Sequence, residues 1–144
     1  MNGDGYLDVV AGSLSDYSLI LWLGNGDGTF QFFQRPLIGI PVGHLQVADL
    51  NNDGRADLLI SDARSDTLYH MLGRGDGTFL PRVRIDTAGR TPLSALALAD
   101  FNGDEYLDLV LTNPGPVAPP GTPGRVAVLL GNGTGSFTLP QAMR

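Results

Sequence analysis

The sequence predicts an all-β protein built from three tandem repeats. Three observations lead to this prediction: two short motifs each occur three times, short β-like runs separate them, and no segment has the apolar period of an amphipathic helix. Twenty Gly and ten Pro among 144 residues also disfavour helix interiors. The chain is therefore expected to form antiparallel strands joined by tight turns.

The first motif is an acidic loop of nine positions, which runs from Asp49 to Asp57. It returns from Asp100 to Asp108, and residues 1–8 repeat it without its first position. The copies are 49 and 51 residues apart. Each repeat is therefore expected to span about fifty residues.

The second motif is a glycine-rich turn, found at residues 24–30, 73–79 and 131–137. The last two copies are 58 residues apart, and the extra length falls in the Pro/Gly-rich stretch 113–124, which predicts a surface loop. Asp27 and Asp76 are expected to cap these turns through Asx hydrogen bonds. This turn chemistry also accounts for the Arg-Gly-Asp tripeptide at 74–76.

The runs between the motifs predict three strands in the first repeat and four in each of the others. The runs are 9–10, 19–23, 32–35, 45–48, 58–60, 67–72, 82–86, 95–99, 109–111, 126–130 and 137–139. We predict one domain over residues 1–144, with repeats at approximately 1–43, 44–93 and 94–144. Four antiparallel strands per repeat of this length are typical of a β-propeller blade. A β-sandwich of three hairpin pairs is the alternative.

The first repeat lacks its opening strand, and three blades are fewer than the ~4–8 that close a propeller. An open arc of blades would expose sheet edges and apolar faces. We therefore expect either a fragment of a larger propeller or a homodimer that closes a six-bladed ring.

Composition excludes several classes of protein. A net charge of −6 argues against nucleic-acid binding, and the absence of Cys excludes disulfides and thiolate zinc sites. No apolar run reaches the ~18 residues of a membrane helix. The chain opens without the basic and apolar regions of a signal peptide. We expect an extracellular or cell-surface location in a parent protein only because the millimolar-grade calcium sites that the acidic loops predict suit extracellular fluid.

The acidic loops place short oxygen donors at positions 1, 3, 5 and 9, and position 7 can add a carbonyl. Hard oxygen donors without His or Cys favour Ca²⁺. The predicted ligands are Asp49, Asn51, Asp53, the Arg55 carbonyl and Asp57 in the second loop, Asp100, Asn102, Asp104, the Tyr106 carbonyl and Asp108 in the third, and Asn2, Asp4, the Tyr6 carbonyl and Asp8 in the first.

Two features separate the three loops. Glu105 replaces the glycine found at Gly54, and the first loop lacks its first ligand, so its site should be weaker or empty. An Asx-rich turn without metal is the alternative reading. An EF-hand is excluded because position 12 is Ile60 rather than Glu and the flanks are strand-like.

Together the acidic loop and the Gly-Asn-Gly-Asp-Gly-Thr-Phe turn resemble the FG-GAP/VCBS repeats. These repeats form calcium-binding β-propellers in integrin α subunits, bacterial surface proteins and fungal lectins. The resemblance covers essentially the whole chain. It implies a propeller fold and calcium in the loop that joins the first two strands of a blade, but it does not imply one function.

The expected function is a module for adhesion or for carbohydrate or protein binding, stiffened by structural calcium. The alternative is a calcium-dependent ester or phosphoester hydrolase in the channel of an oligomeric ring, with His44 as a lining residue. A third reading is a structural repeat fragment. No nucleophilic triad can be assembled, so catalytic residues stay unassigned. His70 is expected to be structural, and Trp22 and Tyr69 to pack between blades or stack on sugars.

Overall fold

The computed structural model of the protein describes residues 1–65, 67–87, 95–113 and 125–139, and these ranges are all-β. They contain eleven strands in three antiparallel sheets and no helix. Accordingly, the described part of the chain contains no helix suited to crossing a membrane.

Each sheet is a meander in which strands pair in chain order. Sheet 1 consists of β1 (Val9–Gly12), β2 (Leu19–Gly24) and β3 (Phe30–Gln34). Sheet 2 consists of β4 (Val42–Ala48), β5 (Asp57–Asp62), β6 (Leu68–Met71) and β7 (Val83–Ile85). Sheet 3 consists of β8 (Ala95–Ala99), β9 (Asp108–Asn113), β10 (Arg125–Gly131) and β11 (Phe137–Thr138).

This architecture confirms the all-β class and the expected three, four and four strands. The strand bounds differ from the predicted runs by up to three residues, and the largest difference is at β4, which begins at Val42 rather than at residue 45. Of the surface loop predicted at 113–124, Asn113 ends β9 and residues 114–124 lie outside the described residues.

Two apolar clusters hold the three sheets together. The first joins sheets 1 and 2 and includes Leu19, Leu21, Leu58, Ile60 and Met71. The second joins sheets 2 and 3 and includes Leu59, Leu68, Leu109, Leu111 and Leu129. Sheet 2 is thus covered on both faces, which explains the uninterrupted apolar run in β5, where successive side chains point to opposite faces.

The outward faces of sheets 1 and 3 carry apolar residues without a neighbouring sheet in this chain. On sheet 1, Val9 is 40% exposed, and the half-buried Trp22 lines a shallow hollow with Val9 and Phe30. The residues equivalent to Val9 and Trp22 in the second repeat are Leu58 and Met71, and these two are buried against sheet 1. On sheet 3, Val126 is 70% exposed, although its counterpart Leu68 is fully buried.

Tyr69 stands one repeat after Ile20 in β2 and packs against the cluster between sheets 1 and 2. The packing interpretation therefore holds for Tyr69. Trp22 differs, because it lies on the outward face of sheet 1.

His70 is a polar residue in an otherwise apolar interface. It is 6% exposed, and the equivalent residues in the other repeats are Leu21 and Val128. Its Nδ1 is buried and has no hydrogen-bond partner within the described residues. Burial lowers the pKa of His70 below its usual 6.5, against the opposing charge of Asp57. The folded state therefore favours the neutral imidazole.

Replacing His70 with leucine, as in the first repeat, is expected to stabilise the fold by about 1 kcal/mol at neutral pH, because a buried unpaired nitrogen is removed. The gain should grow as the pH falls below 6.5, since the unfolded wild-type histidine takes up a proton before the folded one does. Urea unfolding at about pH 7 and about pH 5 measures this. The exposed His44, changed to Gln, is the control, and an equal gain for His70→Leu at both pH values would refute the explanation.

Candidate metal centre

The aspartate at position 9 of each acidic loop joins the loop to the glycine turn of its own sheet. Asp57 Oδ1 accepts the N–H of Gly73 at 2.7 Å, and Oδ2 accepts the N–H of Leu50 at 2.9 Å. Asp108 repeats both contacts with Gly131 and Phe101, each at 2.9 Å. Both aspartates are fully buried. Because each accepts hydrogen bonds from two backbone segments, each forms a tie, that is, a side-chain connection between the acidic loop and the glycine turn.

Asp8 makes the same tie in the first loop. It accepts the N–H groups of Gly24 at 3.0 Å and Asn2 at 3.2 Å, and it pairs with the amino group of Met1. Burial works to raise its pKa, but the amino group and the backbone N–H donors outweigh burial and leave the pKa below its usual value. Asp8 is therefore held as a carboxylate.

The residue that donates its N–H to the position-9 aspartate must be glycine, because the carbonyl oxygen at position 8 of the acidic loop leaves no room for a side chain. A Cβ on Gly73 would lie 2.1 Å from the carbonyl oxygen of Ala56. The corresponding distances are 2.2 Å for Gly24 and 2.1 Å for Gly131, again to the carbonyl at position 8 of the acidic loop. The two motifs are therefore in backbone contact in every repeat.

The remaining side chains of the second acidic loop fold over its own backbone. Asp49 accepts the N–H groups of Asp53 at 3.1 Å and Gly54 at 2.8 Å. Asn51 accepts the N–H of Asp53 at 3.2 Å, and Asp53 accepts the N–H of Arg55 at 2.9 Å. Positions 1, 3 and 5 thus gather their oxygens around the same short stretch of chain.

The third loop has the same geometry despite Glu105. Asp100 accepts the N–H groups of Gly103 at 2.7 Å and Glu105 at 2.9 Å, and Asn102 accepts that of Asp104 at 3.0 Å. Glu105 has φ 71°, close to the 80° of Gly54, so it adopts the left-handed conformation expected to strain it. The Glu105 N–H lowers the pKa of Asp100.

The first loop keeps the shorter part of this pattern. Asp4 donates its N–H to Asn2 at 3.3 Å and accepts the N–H of Tyr6 at 2.9 Å.

The surroundings of Asp57 disfavour its ionised form. Burial raises its pKa, and the charges of Asp53 and Asp49 add to this, while the N–H groups of Gly73 and Leu50 oppose it. Within the described ranges, no three His, Asp or Glu side chains already converge as a metal-binding cluster. The donor chemistry still fits calcium, since the loop offers carboxylate, amide and carbonyl oxygens.

Neighbouring repeats meet at these loops. Gly77 donates its N–H to the carbonyl of Met1 at 3.2 Å, and one repeat later Gly135 donates to Leu50 at 3.1 Å. Asn52 in the second acidic loop also donates to the carbonyl of Glu105 in the third at 3.2 Å. Each contact joins an acidic loop to the next repeat. The conformation of each acidic loop therefore affects how neighbouring sheets pack.

The side chain at position 7 covers the middle glycine of the turn in its own repeat. A Cβ on Gly26 would lie 2.4 Å from the ring of Tyr6, and one on Gly133 would lie 2.3 Å from the ring of Tyr106. In the second repeat, Arg55 takes this place beside Gly75, at 3.3 Å. The position-7 residues, whose backbone carbonyls are predicted calcium ligands, therefore also pack against the glycine turn. Their constant spacing from the turn glycines in the sequence could have indicated this.

The glycine turns are capped as predicted. Asp27 accepts the N–H of Thr29 at 2.9 Å, and Asp76 accepts that of Thr78 at 2.8 Å. The same carboxyl oxygens also accept the threonine hydroxyls, and both contacts lower the pKa values of Asp27 and Asp76, the hydroxyl more strongly. Asp76 of the Arg-Gly-Asp tripeptide is therefore engaged within its own turn.

A contact between Ser61 and His44 could not be predicted from the sequence. Ser61 Oγ lies 3.2 Å from His44 Nδ1 and accepts the backbone N–H of His44 at 2.7 Å. Ser61 is 3% exposed, and the register between β4 and β5 shifts between Val42 and Leu45. The hydroxyl therefore satisfies backbone at this irregularity and is not presented to solvent as a nucleophile.

Comparison with protein-family models adds one finding. A model described as FG-GAP-like repeat matches residues 1–60 and again residues 49–111. The two matches together span all three acidic loops and more than half of the chain. No curated protein matches the sequence.

Proposed function

Because the chain belongs to the FG-GAP-like repeat family, we propose that it is a β-propeller-type module whose acidic loops bind calcium. The observation that carries this proposal is Asp57, a fully buried carboxylate whose pKa is raised by burial and by Asp53 and Asp49. Its hydrogen-bond donors are the backbone N–H groups of Leu50 and Gly73. A nearby divalent cation would offset this unfavourable charge.

The ligands proposed for the second loop are Asp49, Asn51, Asp53, the carbonyl of Arg55 and Asp57. The equivalent set in the third loop starts at Asp100 and ends at Asp108, and the first loop contributes a shorter set from Asn2 to Asp8. Bound calcium would supply positive charge and fix the loop. The chain's own residues supply the rest, because position 9 ties each loop to its glycine turn.

Calcium is expected to raise the melting temperature of the wild-type chain by roughly 8–12 °C for each occupied site at one hundred times its dissociation constant, because it binds the folded state. Asp53→Ala should lose the part of this shift that comes from the second loop. Differential scanning calorimetry with calcium and after chelation measures it. Asp76→Ala, which removes an exposed aspartate from a glycine turn, should keep the full shift. Equal shifts for Asp53→Ala and wild type would refute the assignment of the second loop.

We propose adhesion or carbohydrate or protein binding, in an extracellular or cell-surface parent protein, as the role of the module. Support comes from the contacts of the acidic loops with the next repeat, through which calcium would stiffen the surface formed by adjacent sheets. Loops fixed on a rigid scaffold are common binding surfaces. For the hydrolase alternative, the described residues offer only the His44–Ser61 contact, and its hydroxyl is buried.

The outward apolar faces support a second proposal, that two copies associate to complete a ring of six blades. Val9, Trp22 and Phe30 would meet the face of another copy that carries Val126, as their counterparts meet within the chain. Light scattering is expected to give twice 15.2 kDa. Trp22→Glu should give a monomer, and Leu14→Glu, at a 63% exposed residue in the turn between β1 and β2, should not. A wild-type monomer at micromolar concentration would contradict the proposal.

A further inference from the structure

A groove of about 560 Å³ lies at the outer boundary between sheets 1 and 2. Its walls come from the segment that joins the sheets, from β6 and from residues 81–84, and they include Leu37, Ile38, Tyr69, Met71, Arg82 and Arg84. Leu37 is 79% exposed, so the apolar wall is open to solvent. This groove lies apart from the acidic loops and combines apolar side chains with two arginines.

Arg82 is held in place within the groove. Its guanidinium group donates a hydrogen bond to the carbonyl oxygen of Ile38 and lies over the ring of Tyr69, 5.3 Å from the ring centre. A guanidinium group carries five N–H donors, so this contact leaves others unused. The charge is therefore fixed at the groove before any ligand arrives.

Arg84 stands beside it on the same face of the sheet. Arg84 and Tyr69 are direct partners in the register of β6 and β7, and Arg82 is two residues away from Arg84 along the chain. Arg82 directly precedes β7, and its guanidinium group lies over the ring of the same Tyr69. The two cations are therefore neighbours, and this costs energy unless a counter-charge is present.

The first repeat shows what such a counter-charge looks like. Arg35, one repeat before Arg84, pairs with Asp16. In the second repeat the residue equivalent to Asp16 is Ser65, whose hydroxyl bonds to Asp62 instead. Across the described ranges the side-chain ion pairs of arginine are Arg35–Asp16 and Arg55–Asp53, and neither involves the groove.

We propose that this groove binds a small organic anion. Its carboxylate would lie between the guanidinium groups of Arg82 and Arg84, since these forks match a carboxylate in geometry. Its apolar body would lie against Leu37 and Met71. The volume is within the roughly 300–1,000 Å³ of small-molecule sites. The proposal does not depend on calcium, because none of these residues belongs to an acidic loop.

Benzoate is the probe, and the side-chain Nε–H signals of Arg82 and Arg84 in ¹H–¹⁵N spectra are the readout. Benzoate should shift both signals with a dissociation constant of about 1–10 mM, as expected for a fragment-sized ligand. Arg84→Gln should weaken binding at least about fivefold through the loss of a charged pair. Arg74→Gln, at an exposed arginine outside the groove, should bind like wild type.

Two further ligands separate the charge from the apolar body. Benzamide, which has the same ring without the charge, should bind at least about tenfold more weakly than benzoate. Sulfate should also bind more weakly, because it cannot use the apolar wall. The proposal fails if benzoate does not shift the two signals, if benzamide or sulfate binds as tightly, or if Arg84→Gln binds like wild type.

Discussion

Replacing Asp57 with alanine is expected to lower the free energy of unfolding of the calcium-free chain by about 2–6 kcal/mol, since two buried N–H groups lose their acceptor at about 1–3 kcal/mol each. The groups belong to Leu50 and Gly73, so the change releases the acidic loop from the glycine turn. Asp57 is fully buried, and water cannot replace the lost contacts without opening the fold. Urea unfolding in the presence of chelator measures the loss.

Asp53→Ala is the matched control for this experiment. It removes a carboxylate from the same loop, but Asp53 is mainly engaged by the exposed N–H of Arg55, and its charge disfavours ionised Asp57. The calcium-free stability of Asp53→Ala should change by less than about 1 kcal/mol. A loss for Asp57→Ala no larger than for Asp53→Ala would show that the tie is not structural.

Gly73→Ala is expected to cost about 3 kcal/mol, at the upper end of overpacking in a well-packed region. The new methyl group would lie 2.1 Å from the carbonyl oxygen of Ala56, which is backbone and cannot rotate away. The two backbone segments must separate locally, and that movement also lengthens the 2.7 Å hydrogen bond from Gly73 to Asp57. Chemical denaturation of the calcium-free chain measures the effect.

Gly28→Ala separates this crowding from backbone strain. Gly28 has φ 88°, and a Cβ there would meet nothing within 4 Å. Its cost should be the left-handed penalty alone, about 1–2 kcal/mol. The close-approach explanation is wrong if Gly73→Ala is no more destabilising than Gly28→Ala.

The number, order and approximate bounds of the strands could be predicted because they depend on local signals. Turn residues with fixed spacing mark the ends of β5 and β6, and the run Leu58–Leu59–Ile60 identifies a strand covered on both faces. The caps at Asp27 and Asp76 were predictable for the same reason, since the acceptor and donor are two residues apart.

Contacts between distant segments were not predictable from one sequence. The motif at position 9 indicated a metal ligand, but it did not show that Asp57 also ties to Gly73, sixteen residues away. His44 and Ser61 meet only because β4 pairs with β5. The unpaired Nδ1 of His70 depends on the packing of sheet 2.

The repeated contacts suggest why the two motifs occur together in each repeat. The aspartate at position 9 connects the acidic loop to the turn of its own sheet, and the carbonyls of Met1 and Leu50 connect loops to the turns of the next repeat. A cation bound in one loop would therefore act on two sheets. We expect calcium to increase the cooperativity of unfolding as well as the melting temperature.

The most direct test is isothermal titration of calcium into the chelator-treated chain, followed by the same titration of Asp53→Ala. Calcium binding by the acidic loops predicts at least two sites in the wild type, from the loops that begin at Asp49 and Asp100, and one site fewer in the variant. An absence of calcium binding at millimolar concentration, or an unchanged stoichiometry in Asp53→Ala, would contradict it.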